Sequence, residues 1–198
     1  LLDITTRDWC SPLLDSIGVS IDQAPLVPPG TAVGAVTSYA GEKTGLSRGT
    51  PVVASGTDTH CGLLGMGVSE PQQVGVVAGW SAPVQMVTAR PVFSPTAKTW
   101  VGCSLNANTW VLESSAGDVG NSYRWLAETV FSADEGAFDS MDKLAAAVPM
   151  GSEGTMAVLG PPRMNMANPG MNPGGFLFPV PLTFSDTGRG HLVRAAIE

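Results

Sequence analysis

The chain has 198 residues, 43% hydrophobic and 14% charged, a balance that can bury a core and that excludes a disordered segment. Ten basic against seventeen acidic residues leave a net charge of −7. With no basic cluster to release counterions from a phosphate backbone, nucleic acid is excluded as a partner, and any anionic ligand must be held locally by backbone N–H groups or through a metal.

Cys10, Cys61 and Cys103 show no CxxC spacing, which argues against a zinc site and a disulfide framework and points to a reducing, cytoplasmic setting. No apolar run approaches the roughly 20 residues that span a bilayer. Leu1 is not an initiator methionine, and the closing segment HLVRAAIE ends as an uncapped helix with Leu192, Val193, Ala196 and Ile197 on one face. Both ends therefore read as cut, and the chain as an excerpt of a longer protein.

In chain order, Thr5 and Asp8 have the spacing of a capping box with Asp in place of Glu. Trp9, Leu13, Leu14 and Ile17 follow at helical spacing up to Gly18, predicting a short amphipathic helix. The proline-rich run APLVPPGTA at 24–32 predicts an extended connector into a strand at Val33–Thr37. A short helix over Tyr39–Leu46 is expected before the turn Arg48-Gly49-Thr50. Pro51 to Ala54 then form an apolar strand, Ser55, Gly56 and Thr57 a small-residue turn, and the residues after Asp58, THCGLLGMG, a buried helix. This delivers one carboxylate to a helix mouth. Such a place suits a catalytic base, but it also suits a helix cap, and residue types alone favour the cap.

Residues 72–88, QQVGVVAGWSAPVQMVT, predict two apolar strands around the turn Gly79-Trp80-Ser81-Ala82-Pro83. A turn of small residues can aim several N–H groups at a phosphate, although an ordinary hairpin explains the same pattern. Thr109–Ser115 reads as a strand ending at Ala116-Gly117-Asp118, after which Val119, Tyr123, Leu126 and Val130 mark one helical face. Gly120, in that helix's first turn, permits either close packing or the approach of a phosphate to the helix N-terminus. Ser132 and Glu135 form a capping-box pair ahead of a helix carrying Phe138, Met141, Leu144, Ala145 and Val148. Thr155–Leu159 is a candidate strand, and Pro161–Gly175 a long loop whose three methionines read as gap-filling contacts. No internal repeat is present, and the order of elements predicts a mixed α/β fold.

Several motifs fail on inspection. Lys43-Thr44 sits in Gly41-Glu42-Lys43-Thr44, where Glu42 breaks the P-loop pattern, and no GxGxxG follows a strand. Ser81, Asp118 and His191 occur in the chain order of an α/β-hydrolase triad, but Pro83 stands where the nucleophile elbow needs its second glycine.

Taken together, GLSRGTPVVASGTD, THCGLLGMGVSEPQQVGVVAGWS, AGDVGNSYRWLAE and the terminal HLVRAAIE resemble, in this order, the FGGY carbohydrate kinases, a family that includes xylulose, gluconate and autoinducer kinases. The opening LLDITTRDWCSPLLDSIG is similar to the end of that family's amino-terminal domain. The resemblance implies an actin-like, ribonuclease-H-type fold of two lobes with ATP, Mg²⁺ and a sugar or polyol as ligands. Residues 1–68 would then close the first lobe and 69–198 open the second. By the same resemblance Asp58 is the catalytic base, Asp58 and Thr59 meet the substrate, Gly79, Trp80 and Ser81 form the turn at the ATP phosphates, and Gly120 lies beside the nucleotide.

The sequence also departs from the family. Trp80 replaces the usual threonine, RMNMANPGMNPGG lacks the usual acidic and arginine-rich run before the glycine, with Arg163 standing for its arginine, and Pro181 replaces a glycine. The run AVPMGSEGTMAVLGPPRM and the altered turn are more similar to autoinducer kinases than to xylulose or glycerol kinases. Two alternatives remain open, a non-catalytic sugar- or nucleotide-binding lobe and a serine hydrolase. Without the rest of the parent, the excerpt is expected not to turn over, and its strand at Val52–Thr57, short of sheet neighbours, is expected to pair with a second copy.

Overall fold

Two residues of each strand are enough to start the chain as a hairpin, because Asp3 closes its turn. In the computed structural model β1 (Leu2–Asp3) pairs antiparallel with β2 (Asp8–Trp9), and the Asp3 Oδ1 accepts the N–H groups of Thr5 and Thr6 at 2.8 and 3.3 Å. Thr5 and Asp8 are thus part of a hairpin and do not cap a helix, a correction to the capping-box expectation. The helix begins later, at α1 (Ser11–Ser16), with Pro12 in its first turn where a missing N–H is harmless. Gly18 at φ +66° ends it as expected.

The structure describes the chain except residues 19, 21, 116, 132–135, 161–163, 169 and 172, and the side chain of residue 184. It divides into two compact units: residues 1–76, 85–94 and 100–113, and residues 77–84, 95–99 and 114–198. The expected capping pair at 132 and 135 and the arginine at 163 lie outside the described residues.

In the first unit β3 (Ala32–Ala35) pairs antiparallel with β4 (Pro51–Val53), with an irregular register between Ala32 and Gly34. Between them runs α2 (Ser38–Thr44), capped by the Thr37 side chain, which accepts the Ala40 N–H, and ended by Gly45 at φ +76°. Every residue of β3 and β4 is exposed. α3 (Asp58–Gly65) follows β4 and buries Leu63. The remaining strands are β5 (Val74–Val76), β6 (Val84–Thr88), β7 (Trp100–Cys103) and β8 (Trp110–Ser114), in the order β5-β6-β8-β7, with β7 and β8 antiparallel. Alternation in β6 turns Gln85 and Val87 inward, and Val87, Val111, Leu63 and Leu14 are this unit's buried apolar side chains. The Arg7 guanidinium donates to the Thr109 carbonyl and lies 5.1 Å over the Trp110 ring, fastening the first hairpin to β8.

The second unit is organised by α4 (Val119–Val130), α5 (Ala137–Ala146) and α6 (Arg189–Ile197), with the antiparallel pair β9 (Met156–Val158) and β10 (Gly175–Leu177). Its core is Leu126, Ala127, Ala137, Met141, Ala145 and Val193. α5 and α6 approach closely at Gly190, where a Cβ would stand 3.0 Å from the Leu144 carbonyl oxygen. The buried faces are rotated from expectation: Phe138, Leu144 and Ile197 are exposed, and small residues take the contact positions. Tyr123 stacks on Phe138 at 5.7 Å and donates to Asp142, and burial with that acceptor pushes its pKa up to about 12. Of the long loop's three methionines Met164 is buried and Met166 and Met171 are exposed, so gap filling holds for the first and not for the other two.

The fold is mixed α/β. Strands β7 and β10 and the first hairpin were not anticipated. Among the described residues no helix is long and apolar enough to cross a membrane.

Candidate functional site

Asp58 stands at N1 of α3, brought there from β4 by the turn at 54–57. Leu105 occupies the space that a Cβ on Gly56 would need, so the glycine in that turn serves close packing. Asp58 is exposed, and its Oδ1 accepts the Thr59 N–H at 2.8 Å. Oδ2 has no partner among the described residues. An acid in the first turn is favoured by the helix dipole. Thr57, the N-cap, makes no side-chain cap bond. The cap-like role therefore uses one oxygen of this carboxylate and leaves the other available as a proton acceptor.

Thr59 adjoins two side chains that sequence reasoning passed over. Gln85, on β6, is 0% exposed and its Nε2 donates to Thr59 Oγ1 at 3.2 Å and to Glu113 Oε2, on β8, at 2.7 Å. The sequence signal was present: an amide at an inward position of an apolar strand is out of pattern. His60 packs against β7, where a Cβ on Gly102 would stand 3.4 Å from its ring. Burial pushes its pKa below the ordinary 6.5, against the opposite pull of Glu113, the Cys103 main chain and Asp58. Asp58, Thr59, His60, Gln85 and Glu113 thus form one polar group around the start of α3.

A second arrangement, in the other unit, is made almost wholly of backbone. The Gly79 N–H donates to the Ser81 carbonyl at 2.7 Å, closing the turn. The Trp80 carbonyl accepts the N–H groups of Gly120 and Asn121 at 2.9 and 3.3 Å, satisfying two of the donors that α4 would otherwise leave open. A Cβ on Gly120 would collide with the Gly79 carbonyl oxygen. Only glycine lets the turn lie this close to the helix start, the close-packing role of the two foreseen for it. The N–H groups of Trp80 and Ser81 have no partner among the described residues, and the Trp80 ring is 65% exposed. The turn offers two free donors side by side, an arrangement that can receive an anion.

The serine-hydrolase alternative is not favoured. His191 spends both ring nitrogens elsewhere, with Nδ1 accepting the Gly188 N–H at 3.1 Å and Nε2 3.0 Å from Glu153 Oε2, so it engages neither Ser81 nor Asp118. Among the described residues no three His, Cys, Asp or Glu gather as metal ligands.

Residues 1–65 match the FGGY family of carbohydrate kinases, N-terminal domain. Autoinducer-2 kinase of Escherichia coli is 36% identical over 170 residues, covering 80% of this chain and 32% of the relative. Among solved structures, xylulose kinase from Rhodospirillum rubrum is 28% identical with a TM-score of 0.62, covering 87% of this chain and 34% of that one. Ligand-bound xylulose kinase from Lactobacillus acidophilus, 18% identical, covers 99% of this chain and 39% of its own with a TM-score of 0.73. The chain spans about a third of the length of the curated relatives it matches. Its α/β elements are part of an actin-like, ribonuclease-H-type ATPase fold. Over most of its length the chain is thus similar to the FGGY family of carbohydrate kinases.

Proposed function

We propose that the full-length protein carrying this chain is a cytoplasmic, ATP-dependent carbohydrate kinase that transfers the γ-phosphoryl group to a hydroxyl of a sugar or polyol, with Asp58 as general base. The observation that carries this reading is the exposed Asp58 carboxylate at a strand-to-helix junction, with one oxygen anchored on the Thr59 N–H and the other free. As the substrate oxygen attacks phosphorus, its proton passes to Asp58, and Thr59 meets the same substrate. Gly79, Trp80, Ser81 and Gly120 form the part that meets the ATP phosphates. There the free N–H groups of Trp80 and Ser81 donate, while Gly120 holds the turn against α4. This use of the backbone makes the loss of the threonine hydroxyl at position 80 tolerable. Mg²⁺, entering with the nucleotide, would offset its phosphate charge; among the described residues no cluster of His, Cys, Asp or Glu is gathered to hold the ion by itself.

In this proposal the first lobe ends near Val68 and the second begins at Ser69. Residues 1–198 alone do not turn over, because they hold only part of the machinery.

The test is transfer of labelled γ-phosphate from ATP by the full-length protein across a panel of ketoses, polyols and autoinducer-2. The expected result is saturable labelling of one of them. ATP binding with no labelled product from any would favour a non-catalytic binding lobe instead.

A further inference from the structure

The amide of Gln85 is the one fully buried polar side chain in the polar group around Asp58, and its orientation is forced. With Nε2 toward the Glu113 carboxylate, both amide hydrogens are used, one on Glu113 Oε2 at 2.7 Å and one on Thr59 Oγ1 at 3.2 Å. The flipped amide would set its oxygen against the carboxylate, an unfavourable contact. The consequence for Gln85 itself is a buried Oε1 with no partner, an arrangement unfavourable for stability alone.

For Thr59 the consequence is more useful. Its hydroxyl oxygen already accepts from Gln85, so its own proton must point elsewhere, and it has no acceptor among the described residues. Beside it stands Asp58, whose carboxylate only accepts. We propose that Gln85 and Glu113 are positioning residues that orient the Thr59 hydroxyl as a donor, so that the site recognises a substrate carrying an acceptor oxygen next to the hydroxyl that faces Asp58. Vicinal diols and α-hydroxy carbonyl compounds carry that pair of groups, whereas a lone alcohol does not.

The inference rests on the kinase reading and deepens it. Its test is steady-state kinetics of the full-length protein and of Gln85→Met, Thr59→Val, Thr59→Ser and the double variant Gln85→Met/Thr59→Val. The expected result is a rise of roughly tenfold in the KM for sugar in Gln85→Met and in Thr59→Val, with the KM for ATP unchanged. Because the two residues act as one unit, the double variant should lose no more than Thr59→Val alone. Thr59→Ser, which keeps the hydroxyl, should restore the native KM. A Gln85→Met protein that melts at a lower temperature with native sugar KM overturns the inference, as do losses that multiply in the double variant; in both cases the kinase reading stands. A native protein that phosphorylates no sugar overturns both.

Discussion

At the scale of single residues the strongest constraint is steric. Gly120→Ala drives a methyl group into the Gly79 carbonyl oxygen and must move the turn or unwind the start of α4. The expected loss is about 1–3 kcal/mol, read as a lower melting temperature together with weaker ATP binding; a variant that melts like the native chain would contradict the contact. Trp80 behaves differently. Its ring is mostly in solvent and its turn is held through the main chain, so Trp80→Thr should change stability by less than about 0.5 kcal/mol and leave ATP affinity as it was. His60 gives a pH signature. Since its folded pKa is depressed below 6.5, the unfolded chain takes up the proton first as pH falls. Stability from this residue is therefore complete above about 6.5 and is lost as pH drops through the folded value. Denaturant titrations of native chain and His60→Gln between neutral and acidic pH should diverge in that direction only. The candidates Asp58, Gly79, Trp80, Ser81 and Gly120 were singled out by the family resemblance, since residue types alone favoured a helix cap at Asp58 and an ordinary hairpin at the turn. Gln85 and Glu113 were not, since a lone amide and a lone acid in two strands 28 positions apart meet only once the register of the sheet is known.

At the scale of elements, helix contacts in the second unit combine three alanines with Leu126, Val193 and the flexible Met141. Met141, at 0% exposure in the α4–α5–α6 core, should lose about 2–5 kcal/mol on truncation to alanine, whereas fully exposed Met171 should show no measurable change. Equal thermal shifts in the two variants would refute the packing described. The same elements show where pattern reading succeeds. α2, α3, α4 and α6 carried a cap, a glycine stop or a sustained helical period, and each was found near its expected bounds. The four-residue β7 and the three-residue β10 carry too few alternations to register. The Thr5–Asp8 box misled because Asp3, two residues earlier, competes for the same N–H groups and makes a turn of them.

For the whole molecule, β3 and β4 form a two-stranded ribbon with every residue exposed. Such a ribbon presents unpaired edges and apolar Val33, Val52 and Val53 to solvent. The isolated chain should therefore associate as its concentration rises, and Val52→Lys should reduce this in light scattering; a monodisperse monomer at every concentration would argue otherwise. The fold rests on contributions spread over the chain's length, whereas the proposed function turns on Asp58. The most direct measurement is the kcat of sugar phosphorylation by the full-length protein and its Asp58→Asn variant, with ATP affinity measured on both. Loss of the base should lower kcat by about 10²–10⁴-fold while ATP binds as before. A variant that phosphorylates sugar at the native rate would remove Asp58 from the mechanism.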